Sequence, residues 1–114
     1  MKYEDKIFLQ HIIDEISKIE KSSKTLTKEK FEKNVDLQDA MIRRLEVIGE
    51  ATKNISDKLK KENNSIEWKK IAGTRDVIIH SYFDVDLSLI WVIITDEIPK
   101  LKKNIETILN KLNN

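Results

Sequence analysis

Apolar side chains recur along this chain at steps of three and four. Leu9, Ile12, Ile16 and Ile19, with Phe8 and Ile13 widening the stripe, predict an amphipathic helix that ends near "KSSKT". "KEKFEKN" predicts a short helix capped by Thr27. Leu37, Met41, Leu45, Ile48, Thr52, Ile55 and Leu59 then hold one phase as far as "KKENNS", which predicts a single long helix. Gly49 inside it lowers helix propensity unless another backbone packs closely there, and close packing is the expectation. "SIEWKKIAGTRDVIIHSYF" predicts a further helix with Ser65 as its cap. It carries Trp68, Ile71, Ala72, Val77, Ile78, Ile79 and Phe83 among few charges, so burial on more than one side is expected. After "FDVD", where Asp84 or Asp86 can cap a helix start, Leu87, Trp91, Ile94, Ile98, Leu101, Ile105, Ile108 and Leu112 alternate steps of four and three. Pro99 falls inside that seam and removes one backbone donor, which predicts a kink rather than a break. No run alternates convincingly with period two and the connections are short. The pattern predicts an all-α, up-and-down bundle of four to five helices.

Composition narrows the picture. At 114 residues the chain is expected to be one domain, 1–114, with room for a modest core. Its 21 Lys plus Arg against 20 Asp plus Glu leave no whole-surface field for holding polyanions, so any contact with nucleic acid must be local. The absence of cysteine removes disulfides, thiolate metal sites and cysteine nucleophiles, and suits a reducing cytosol. "MKYEDKIFLQHIIDEI" carries charges through its apolar run, so it reads as neither signal peptide nor membrane span, and a cytoplasmic protein without a membrane partner is expected.

Chemistry concentrates in "RDVIIHSYF", where Arg75, His80 and Tyr82 interrupt a strongly apolar segment. At about 100° per residue, Arg75 and Tyr82 nearly eclipse on a helix while His80 lies about 140° round from Arg75. Asp76 and His80 are four apart and share a face, so the carboxylate is a candidate to orient the imidazole or raise its pKa. Cleaving RNA without a metal needs a group that manages protons and a cation that stabilises charge on phosphoryl oxygens; His80 and Arg75 supply these. Because one helix turns them apart, a two-fold dimer that lays two copies side by side is needed to gather both around one cleft. On the residues alone a satisfied polar network in the core is the commoner use of such a trio. Five acids and no Lys or Arg between Asp76 and Pro99 also argue against a broad nucleic-acid groove. His11 has no evident partner, and the lysine-rich pieces around residues 18–33 and 100–111 read as solvated faces.

"IRRLEVIGEATKNIS" and "IEWKKIAGTRDVIIHSYFDVDLSLIW" resemble HepT, the DUF86 branch of the HEPN superfamily, over nearly the whole chain. The family motif, Arg, four residues, His, one residue, Tyr, is met by Arg75, His80 and Tyr82, and the flanking "W..IAG.R" and "YF.VD...W" agree as well. The resemblance implies an all-α homodimer acting as a metal-independent ribonuclease toxin, without a cofactor, with Arg75 and His80 as the catalytic pair. It also implies a partner, a minimal nucleotidyltransferase antitoxin that transfers AMP to Tyr82. A rival reading is a non-catalytic helical subunit that binds the nucleotidyltransferase and presents substrate or nucleotide to it. Asp76 stands where relatives have a polar residue, often Asn, and adds negative charge beside an RNA phosphate. Ser81 replaces a frequent acid, and Asp84 a frequent glycine whose turn Asp tolerates.

Overall fold

The computed structural model describes residues 3–80 and 86–112, the side chains at positions 3, 75 and 78–80 excepted. Its helices are α1 (Tyr3–Ser23), α2 (Lys28–Glu32), α3 (Val35–Lys53), α4 (Asp57–Glu62), α5 (Trp68–His80), α6 (Leu87–Val92) and α7 (Ile98–Leu112). A π-helical turn, Ile93–Glu97, joins the last two into one continuous rod. Among the described residues there is no strand, and the fold is all-α: four long rods with α2 and α4 as short links.

The centre forms where α1 packs on α3 and α7. Leu9, Ile12, Ile16 and Ile19 of α1 are fully buried, and Met41, Leu45, Ile48, Leu101, Ile105 and Ile108 close over them. These are the residues whose three-and-four spacing sets the stripes. Polar ties fix the register at the rim. Arg44 Nη1 donates to Ser22 Oγ at 2.8 Å, and Lys102 Nζ to a carboxylate oxygen of Glu20 at 3.0 Å.

The caps explain where the rods stop. Thr27 accepts from the Lys30 N–H as expected, and Asn34 performs the same service for Leu37 at the start of α3. Asp86 caps α6 by accepting from the Leu89 N–H; Asp84, the other candidate, lies outside the described residues. The long helix predicted from Leu37 to Leu59 is divided in two. It ends at Lys53, and Ser56 opens α4 by accepting from the Leu59 N–H. Asp5, buried in α1, enforces the break: its carboxylate accepts from the Ser56 N–H at 2.8 Å and from Ser56 Oγ at 2.6 Å. Ile55 and Leu59 are still buried, which is why the apolar phase runs through the junction unchanged.

Pro99 does not break the last rod, which runs through it as helix. Lacking an N–H, and crowding the carbonyl four residues back, proline disfavours a regular α turn. The chain widens just before it, with the Ile98 N–H donating to the Ile93 carbonyl five residues earlier. Thr95 Oγ1 also donates to the Trp91 carbonyl at 2.7 Å, a back-bond that favours bending.

Candidate functional site

Helix α5 places the motif. It starts at Trp68 rather than directly after Ser65; the Glu67 carbonyl accepts the Ile71 N–H, and Trp68 is pinned by its indole N–H donating to the Asn63 carbonyl at 3.0 Å. From that anchor α5 runs along α3, a helix that buries the small residues Gly49, Ala51 and Thr52. Thr52 satisfies its own hydroxyl by donating to the Ile48 carbonyl at 2.8 Å.

Apolar composition predicts burial of α5 on more than one side, and among its described residues the chain does not provide it. Only Trp68 is buried; Ile71, Ala72, Gly73 and Thr74 are half-buried, while Asp76 and Val77 are exposed, Val77 by 49%. A Cβ added at Gly73 would meet nothing within 4 Å. Among the described residues, α3 is the one extensive helical neighbour of α5. Toward the π turn and α7 it leaves a cleft of about 270 Å³, with Ile66, Ile71 and Thr74 on one wall and Ile93, Ile98 and Leu101 on the other. Lys70 Nζ bridges this cleft to Glu97 at 2.7 Å. The hydrogen bond to Glu97, its charge and that of Glu67 raise the Lys70 ammonium above its ordinary 10.5.

Arg75 and His80 both lie on α5, His80 as its last residue, so the helix carries them about 140° apart as their spacing requires. Their side chains, and Tyr82 with its whole segment 81–85, lie outside the described residues. Asp76, the expected partner of His80, places Oδ1 3.8 Å from Lys53 Nζ at the end of α3. Periodicity gives no hint of Lys53, because the contact joins residues on different helices. Its only forewarning is the familiar preference for a cation in a helix's last turn. His11 is exposed, its ring edge-on to Phe8 at 6.2 Å. Among the described residues no three His, Cys, Asp or Glu side chains are grouped to hold a metal ion, and no helix is long and apolar enough to cross a membrane.

A family model described as "Ribonuclease HepT-like" matches residues 12–108, from α1 through α5 into the end of α7. The chain belongs to that family. It is 39% identical to "Probable ribonuclease HepT" of Thermococcus cleftensis, covering 93% of this chain and 96% of that one. "Putative RNase TTE0752" of Caldanaerobacter subterraneus is 40% identical over 91% of this chain and 93% of its own. A 44% identity, over 98% of this chain, links it to "Gamma-glutamylcyclotransferase and putative RNase MJ0434" of Methanocaldococcus jannaschii. The chain spans half the length of that last protein, whose name couples two activities. No solved structure matches.

Proposed function

We propose that this HepT-like chain is a ribonuclease toxin that works as a homodimer, cleaves RNA without a metal, and is silenced by AMP transfer to Tyr82 from a nucleotidyltransferase partner in the cytoplasm. The observation that carries the reading is the contrast on α5: the helix bearing Arg75 and His80 lies along α3 and, among its described residues, buries only Trp68, with room for a methyl group at Gly73, while the α1 stripe is completely covered. A second copy packed there would gather residues that a single helix separates by about 140°. Relatives named as ribonucleases over the same span support the class of reaction.

In the proposed reaction a ribose 2′-hydroxyl attacks the adjacent phosphorus. Its proton leaves to a general base, the P–O5′ bond breaks, and the departing oxygen collects a proton, giving a 2′,3′-cyclic phosphate and a 5′-hydroxyl. His80 manages the proton, and Arg75 stabilises the charge gathering on the non-bridging oxygens. Asp76 is the residue assigned to orient His80. AMP on Tyr82 would bring a fixed negative charge beside Arg75 and a purine ring across the RNA path.

The rival, a non-catalytic subunit that presents substrate to the nucleotidyltransferase, draws on the five acids between Asp76 and Pro99. One experiment separates the two. Purified protein without partner, incubated with RNA and EDTA, should yield cyclic-phosphate ends, and His80→Ala and Arg75→Ala should each lower the rate by about 100-fold or more while remaining folded. Equal cutting by all three proteins would assign the activity to a contaminant; no cutting of any cellular RNA by the wild type would favour the rival. Light scattering at micromolar concentration that shows only monomer would remove the composite site. Incubation with partner, ATP and magnesium should add AMP mass to the wild type and none to Tyr82→Phe.

A further inference from the structure

The contact between Lys53 and Asp76 joins the last turn of α3 to the residue directly after Arg75. Its separation is 3.8 Å, and the two side chains retain 39% and 59% of their exposure. Water screens a pair so open, and both partners lose side-chain freedom to form it, so it contributes little to stability. It is a contact that another anion can replace.

The surrounding charge gives that replacement a purpose. Asp76 begins a stretch to Pro99 with five acids and no Lys or Arg. A phosphate approaching Arg75 therefore meets a carboxylate one residue away and no second cation from the same segment. Lys53 brings a positive charge to that carboxylate from another helix, at a helix end where the backbone carbonyls favour an ammonium. A lysine suits exchange between partners: its charge sits on a flexible stem with three donors, and it imposes no planar geometry.

We propose that Lys53 binds an RNA phosphate neighbouring the one held by Arg75, with Asp76 as its counter-ion in the absence of RNA. The assignment rests on the ribonuclease reading for its substrate and adds to it a second phosphate contact contributed by α3. On docking, the ammonium exchanges carboxylate for phosphodiester; no covalent bond changes. Asp76 sets how readily Lys53 is released, and so tunes affinity for RNA.

The test uses a fluorescein-labelled 2′-O-methyl oligoribonucleotide, which lacks the attacking hydroxyl and survives the assay. Anisotropy is measured across a salt series for the wild type, Lys53→Met, Asp76→Asn and the double variant, with circular dichroism checking each fold. Lys53→Met keeps the aliphatic stem and should weaken binding, making the slope of log affinity against log salt shallower by about 0.7, the loss of one phosphate contact on a single strand. Lys53→Arg should retain the slope. Asp76→Asn should tighten binding by roughly twofold to fivefold, the worth of an exposed ion pair, and the gain should shrink in the Lys53→Met background. An unchanged slope in Lys53→Met overturns the proposal. So does a larger gain from Asp76→Asn without Lys53, since that outcome means the lysine only screens the acid. Cleavage of unmodified RNA, measured in parallel, keeps the two readings apart. Absent cutting with the slope lost refutes the ribonuclease and leaves Lys53 a binding residue, whereas normal cutting with the slope intact refutes Lys53 alone.

Discussion

Helices α1 and α5 are both rich in isoleucine, yet the described residues of the two are covered to different degrees. The α1 stripe disappears completely: Leu9, Ile12, Ile16 and Ile19 have no exposed surface. On α5, Ile71 is half-buried, Val77 is largely exposed, and Gly73 faces open space. Composition is similar; neighbours differ. α1 lies between α3 and α7, whereas α5, among the described residues, rests mainly on α3 and faces the last rod across a cleft. Stability should therefore reside mainly in the α1–α3–α7 unit.

The sharpest way to break that contrast is to truncate both stripes. Ile12→Ala or Ile105→Ala should cost about 2–5 kcal/mol, the usual range for a sealed core position, read from the denaturation midpoint. Ile71→Ala should cost less than half as much. Equal losses would mean that α5 is as deeply committed to the core as α1. Next in size is Asp5→Ala, which strips the Ser56 N–H and hydroxyl of their buried acceptor and should cost about 1–3 kcal/mol. Asp5→Asn should recover part of it.

A change in the opposite direction is expected at Gly73. Alanine there has room and improves helix propensity, so Gly73→Ala should stabilise the isolated chain by about 0.5–1 kcal/mol. If a second chain closes on α5, the same methyl group should weaken association, visible as a higher dissociation constant in sedimentation. The smallest effect is one of pH. Lys70 and Lys102 have pKa values raised above 10.5 by Glu97 and Glu20, so their pairs contribute fully below 10.5 and lose that contribution as pH climbs through the raised values. Unfolding curves should thus show no contribution from these pairs to any change between pH 6 and 9 and a decline in the alkaline range, a decline that Glu97→Gln lessens.

The stripes were legible in the sequence because burial against one neighbour imposes a period, and α1, α7 and the caps Thr27 and Asp86 can be read from it. The division at Asn54 was not, because its cause is Asp5, 51 positions away from Ser56, and the apolar phase passes through undisturbed. The site divides along the same line. The spacing of Arg75, Asp76 and His80 on one helix was readable, but the attachment of Asp76 to Lys53 depends on how α5 lies on α3, which no local pattern encodes. The expected burial of α5 is met at Trp68 and in part at Ile71 and Ala72 but not at Val77, because apolar composition does not by itself specify which neighbour covers a residue; Ile78, Ile79 and Phe83 lie outside the described residues.

The wide turn at Ile93–Glu97 also acts as a protractor between two halves of a rod. A π turn is the local widening left when one residue is added to an α-helix whose later turns keep their own packing, and one residue corresponds to about 100° of azimuth. That angle decides the direction in which Trp91 leaves the rod, and its ring now lies 5.7 Å from that of Phe31 on α2, tilted by 33°. Deleting a single residue within the turn would restore α-helical winding and swing the indole about a quarter-turn off its neighbour. The α6 end of the rod is thus aimed by an angular offset, and the α7 seam can hold the core without dictating where α6 points.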